Sequence, residues 1–179
     1  MIMWFFKKDY NKILALHTEC DIKFEDDFNI EFGGMFKENK LHGYAFMANH
    51  KNGKVSFGIF KNGSLYKNLG SHIKDIQNRI GKNSIMISSK VFGKGVYLGE
   101  AMSPAGHQEN PKLRTNRYGI MILDNGMYIG EFPAGFFLTR CIGYFFDLEG
   151  NSNEGTFEIS IEDNKRWGDD QLGQYFPSY

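Results

Sequence analysis

Hydrophobic residues along this chain recur mainly at every second position, the period of a β-strand. From Asp21, Ile22 and Phe24 point one way while Lys23 and Glu25 point the other. Phe28, Ile30, Phe32, Gly34 and Phe36 then fall on alternate positions, so a single extended strand carries them on one face. A turn at Lys37-Glu38-Asn39-Lys40 precedes a second strand at Gly43–Met47. Asn52-Gly53 is a strong hairpin signal, because both residue types accept positive φ. The next strand, Val55–Phe60, ends at another such turn, Asn62-Gly63. The pattern predicts a meander in which successive strands pair in order.

The period changes once. Ile73, Ile76 and Ile80 stand at helical spacing between Ser71, a plausible N-cap, and Gly81, a C-terminal stop, which predicts a short amphipathic helix over about 71–81. Strands resume at Ser84–Ser88 and Val96–Glu100. Residues from about 101 to 117 lack a period and hold two prolines, Pro104 and Pro111, so a long polar loop is expected there. Strands follow at Tyr118–Leu123, after the turn Asp124-Asn125-Gly126, at Ile142–Phe146 and at Thr156–Ile161. Ile13-Leu14-Ala15-Leu16 fits a short helix or a short strand. The organisation expected is an N-terminal segment 1–20, a sheet 21–163, and a polar tail 164–179 that caps the sheet.

Within the strands one phrase recurs: aromatic, any residue, glycine, any residue, aromatic. It reads Phe32-x-Gly34-x-Phe36 and Tyr128-x-Gly130-x-Phe132. Weakened copies are Ser56-x-Gly58-x-Phe60 and Asn153-x-Gly155-x-Phe157, and Tyr97-Leu98-Gly99 is a partial one with Ala101 in the last aromatic place. The first two central glycines lie 24 residues apart (34 to 58) and the last two 25 apart (130 to 155). A fixed spacing of this size marks a repeat architecture. The marked residues share one strand face, and the bare glycine leaves a slot that a ring from the neighbouring hairpin is expected to fill. One hairpin alone is marginal, so such repeats are stable only together.

These residues carry a resemblance. Over Phe32–Gly63, with Leu41-His42-Gly43-Tyr44-Ala45 as the return strand, and again over Gly126–Gly135, the chain resembles MORN repeats (membrane occupation and recognition nexus). It departs from that family at Gly43-Tyr44-Ala45, at Ser56 and Asn153, and across the two insertions. The resemblance implies an elongated sheet of hairpins that serves as an adaptor, a dimerisation module or an appendage to an enzyme. The fold class expected is therefore all-β, an antiparallel meander of MORN-like hairpins with one short inserted helix.

Composition narrows the function more than it names it. The chain has 179 residues, 21 Lys+Arg against 21 Asp+Glu, 17 Phe, 9 Tyr and 21 Gly. Aromatic and glycine enrichment suits strands and tight turns. Balanced charge gives no reason to expect nucleic acid or an anionic membrane as partner. No apolar run approaches a membrane span, the N-terminus lacks the layout of a signal peptide, and two cysteines make no disulfide framework. Two buried free thiols in the cytosol are the expectation. Free use of Lys, Asn and Ile suggests an AT-rich bacterial or phage genome.

Candidate chemistry is thin. No phosphate loop, dinucleotide fingerprint or nucleophile elbow occurs. His17 and Cys20 are three apart but have no second ligand pair, so no metal is expected; His42 reads as a hairpin residue. The carboxylates Glu131, Asp147, Glu149, Glu154 and Glu158 read as outward strand charges. His107, Glu109, Lys112, Arg114 and Arg117 place acid, base and cation in the expected loop, and with Trp167 of the tail they are the candidate contact residues for a partner. No catalytic residue and no cofactor is assigned. The expectation is a non-enzymatic interaction module acting through exposed sheet aromatics and that loop, either on a protein partner or by self-association. The alternative is a binder of an anionic small molecule or nucleotide, or a small enzyme, using the aromatic sheet face and the 102–117 loop.

Overall fold

The structure, a computed structural model, describes residues 12–14, 16, 19–25, 27, 29–70, 80, 83–89, 91–102, 114–133 and 138–160. The expected helix over 71–81 and the tail 164–179 lie outside the described residues, apart from Ile80. Residues 12–14 are helical and bury Ile13 and Leu14, which settles the open assignment there.

The fold is all-β and antiparallel. Strands β1 (Glu19–Glu25), β2 (Ile30–Lys37), β3 (Lys40–Asn49), β4 (Lys54–Lys61) and β5 (Ser64–Asn68) form one five-stranded meander. Strands β6 (Asn83–Ser89), β7 (Gly93–Met102), β8 (Arg114–Leu123), β9 (Gly126–Glu131), β10 (Leu138–Asp147) and β11 (Ser152–Ser160) form a second, six-stranded one. The elongated single sheet implied by the MORN resemblance is thus replaced by two sheets. They face each other across one core. Ile22, Met35, Phe46, Phe57 and Ile59 of the first sheet share it with Val96, Leu98, Ile120, Ile122 and Ile129 of the second. The physical reason is that each sheet has apolar residues on its second face too, and burying those faces against each other removes both from water.

Local chemistry explains the turns. Glu38 and Asn39 both adopt positive φ, 50° and 63°, the arrangement that matches strand twist in a two-residue hairpin. In the second sheet, strands buried on both faces read as nearly continuous apolar runs, Ile120-Met121-Ile122-Leu123 and Met127-Tyr128-Ile129. The segment read as one extended strand from Phe28 is shorter, beginning at Ile30, and a register shift between Gly34 and Phe36 bends it. The β5 strand was not anticipated; its five residues follow the Asn62-Gly63 turn directly.

The recurring glycines line up. Gly99, Gly119, Gly130, Gly143 and Gly155 stand side by side across five adjacent strands. In the first sheet Gly34, Ala45 and Gly58 do the same. The spacing of 24 or 25 residues is therefore one hairpin's advance along a row. The slot mechanism holds in part. Tyr97 lays its ring over Gly99 and Gly119 and meets the Phe132 ring edge-on at 5.3 Å. At Gly34, Gly58 and Gly130 the expectation is corrected: a side chain there would strike neighbouring main chain, at Tyr44 and Ala45, at Lys67 and at Ile142 respectively, rather than a ring. Rings instead flank the row, with Tyr128 stacked on Phe145 at 4.5 Å and Phe157 edge-on to Tyr128 and tilted against Phe145.

Candidate functional site

The expected long loop over 101–117 is shorter than its composition indicates. Ala101 and Met102 belong to β7, Arg114 to Arg117 belong to β8, and Met102 pairs with Arg114. Strand pairing overrides the polar composition because the backbone finds ladder partners across the hairpin. Arg114 and Arg117 are thus strand residues, while His107, Glu109, Lys112 and Trp167 lie outside the described residues. The repeat residues fare differently. Phe32 and Phe36 join Leu41, Ala45 and Phe60 in an apolar cluster on the first sheet's outer face, and Tyr128, Phe132 and Phe157 join the corresponding cluster of the second.

The remaining candidate groups have structural jobs. His42 is buried, and its Nδ1 accepts the Asn62 main-chain N–H at 3.4 Å. Burial lowers its pKa. Cys20 and Cys141 are buried free thiols, each pushed up to about 12 by burial. Cys20 points its Sγ at the Asp124 carboxylate, 4.0 Å away on the other sheet. Asp147 organises the β10–β11 turn by accepting from the N–H groups of Glu149 and Asn151. Glu158 pairs with Arg140 at 3.3 Å on the surface, a contact of little energetic weight. Among the described residues no cluster of three or more His, Cys, Asp or Glu could hold a metal.

Two features were not visible in the sequence. The first is a pair at one end of the core. Glu31 is buried and its carboxylate lies 2.8 Å from Nε2 of His50. Desolvation raises the Glu31 pKa, and the hydrogen bond and charge of His50 work against that rise. His50 also donates its main-chain N–H to Asn29, and its ring lies 6.0 Å from that of Phe24. Glu31 stands between Ile30 and Phe32 on β2, and nothing in that alternation marks it as buried against His50.

The second feature is an open hollow of ≈ 290 Å³ on the outer side of the first sheet, beginning at the same Phe24. Phe32, Phe36 and Leu41 supply the apolar floor and Phe24 borders it at the sheet edge, while Lys23 and Lys40 stand at the rim beside Glu25 and Asn39. Phe24 is 53% exposed, one of the largest exposed apolar side chains of the described residues. Lys23 is held in place: its Nζ lies 4.6 Å above the Phe36 ring and donates to Asn39 Oδ1 at 3.0 Å. The left-handed Glu38-Asn39 turn presents that amide. The hollow thus combines an apolar floor with a cation already fixed over one of its rings.

Compared with protein-family profiles, curated proteins and solved structures, the chain finds no match in any of the three. What the fold and the hollow define is an all-β sandwich of two meanders with an aromatic, lysine-rimmed recess on one outer face.

Proposed function

We propose that this protein is a non-enzymatic interaction module that docks a segment of a protein partner in the hollow over Phe32 and Phe36. One observation carries the reading: an open aromatic hollow with a lysine already positioned over one of its rings. Binding hot spots combine an apolar anchor with a polar rim, and rigid elements reduce the ordering cost of association. Lys23 and Lys40 favour a partner segment that places a carboxylate next to an apolar anchor. The MORN-like phrases agree with an adaptor role, and two buried free thiols suit a reducing compartment, so a cytoplasmic location belongs to the same proposal.

Selection from a displayed peptide library tests it. Enrichment of acidic, apolar-anchored peptides is expected, with affinity falling about tenfold or more in Phe32→Ser and Lys23→Glu. Peptides that bind both variants as well as the native protein would overturn the reading, as would failure of any sequence class to be enriched.

A further inference from the structure

Each sheet ends in two edge strands, and the edges are not equally open. β1 buries Cys20 and Ile22, and β6 buries Ser84, Ile87 and Ser89. β5 is five residues long and shifts register against β4. β11 differs from these. It runs for nine residues, pairs with β10 without a register shift, and exposes Ser152 to Thr156 and Glu158. Natural sheets shorten, bend, cover or charge their edges; the guards on β11 are Glu154 and Glu158.

The turn before β11 fixes which way its main-chain groups point. The Asp147 N–H donates to the Asn151 carbonyl at 3.0 Å. Hydrogen-bonded and unbonded pairs alternate along an antiparallel ladder. Asn153, Gly155 and Phe157 therefore bond to β10, while Ser152, Glu154, Thr156 and Glu158 turn their N–H and C=O groups outward. Among the described residues no main-chain hydrogen bond reaches that outer edge.

We infer that β11 pairs antiparallel with β11 of a second copy, about a twofold axis at Gly155. A twofold contact must be complementary to itself, and in this register the edge is. Glu154 stands opposite Thr156 of the second copy and Glu158 opposite Ser152, so each carboxylate meets a hydroxyl donor. An axis at Glu154 or at Thr156 would set carboxylates opposite each other, which destabilises the pair. An axis at Phe157 would set Gly155 opposite Ile159. With the axis at Gly155, the row of Gly99, Gly119, Gly130, Gly143 and Gly155 runs on into the second copy. The two six-stranded sheets become one. This edge belongs to the other sheet from the hollow over Phe32 and Phe36, so the inference does not rest on the docking proposal.

Sedimentation equilibrium of the full chain, from micromolar to millimolar, is expected to show a monomer–dimer equilibrium. Thr156→Pro removes an N–H that serves the outer edge alone, where proline is tolerated. It should keep the native circular dichroism and lose the dimer. Gly155→Cys tests the register, since a side chain there meets nothing nearer than the Phe157 ring at 3.9 Å. Opposed residues of an unbonded pair lie about 4.5 Å apart at Cα, within disulfide reach. Gly155→Cys should therefore cross-link to a covalent dimer in air, whereas Asn153→Cys and Phe157→Cys should not. Cys20 and Cys141 are buried and do not compete. A native chain that stays monomeric overturns the inference. So does a dimer retained by folded Thr156→Pro, or cross-linking through position 153 or 157 in preference to 155. If Thr156→Pro fails to fold, the cross-linking decides alone.

Discussion

The hydroxyl of Tyr44, on β3 of the first sheet, donates a 2.6 Å hydrogen bond to the main-chain oxygen of Asp147 at the end of β10 in the second. Burial raises the phenol's pKa, so the donor stays protonated. The same carbonyl also accepts from the Gly150 N–H at 3.0 Å. Removing the hydroxyl therefore leaves the oxygen with one partner. Tyr44→Phe is expected to cost about 1 kcal/mol, read as a lower midpoint in urea unfolding with an unchanged slope. A midpoint equal to the native value would show that the bond does not tie the sheets.

The glycine row makes a sharper test, because its members share a register but not a surrounding. A side chain at Gly130 would overlap the Ile142 carbonyl and sit against Gly143, whereas one at Gly155 meets nothing nearer than the Phe157 ring at 3.9 Å. Gly130→Val is expected to destabilise by about 3 kcal/mol or more. Gly155→Ala should be neutral or stabilising by about 0.5 kcal/mol, since alanine loses less backbone freedom. Equal effects at the two positions in thermal unfolding would contradict the packing described.

The thiols give a pH prediction. Cys20 and Cys141 are both raised from an ordinary 9.0 to about 12, chiefly by burial. A raised folded pKa favours the protonated thiol in the fold. The associated stability is fully present below about pH 9 and drains away as pH climbs towards 12. Native protein at pH 8 should therefore resist a thiol reagent, and both cysteines should react once it is unfolded in guanidinium. Rapid labelling of the native chain would place at least one thiol at the surface.

Glu31 titrates with the same sign at lower pH. Desolvation lifts its pKa from an ordinary 4.5. The fold favours the protonated carboxyl, so stability is greatest below that ordinary value and declines as pH rises through the raised one. In Glu31→Gln the group no longer ionises, and the fall in unfolding midpoint across this window should flatten. An identical pH profile for the two proteins would remove Glu31 as its source.

Much of the fold was legible in the sequence, and particular residues show why. Alternation at Ile22 and Phe24, the Asn52-Gly53 and Asn62-Gly63 turns, and the run Ile120–Leu123 each report a local cause: side chains alternate faces and certain residues tolerate positive φ. The hairpin period likewise followed from Gly34, Gly58, Gly130 and Gly155. The short β5 strand was missed because five residues with three polar side chains give a weak signal. The loop was drawn too long because Arg114-Thr115-Asn116-Arg117 looks solvated, although its backbone pairs with β7.

The site was hardly legible. Phe24 and Lys23 lie on opposite faces of one strand, and nothing local says that Lys23 will be held over Phe36 or that Glu31 will be enclosed with His50. The sequence by itself determined strands, turns, pairing order and the aromatic–glycine rows, because these depend on neighbours along the chain or across a hairpin. Tertiary structure alone decided that the meander divides into two sheets, which face of each is buried, and where Tyr44 and Phe146 come together. Those outcomes depend on contacts between residues far apart in sequence. The aromatic–x–glycine–x–aromatic phrase is the same whether its sheet stands alone or packs against another.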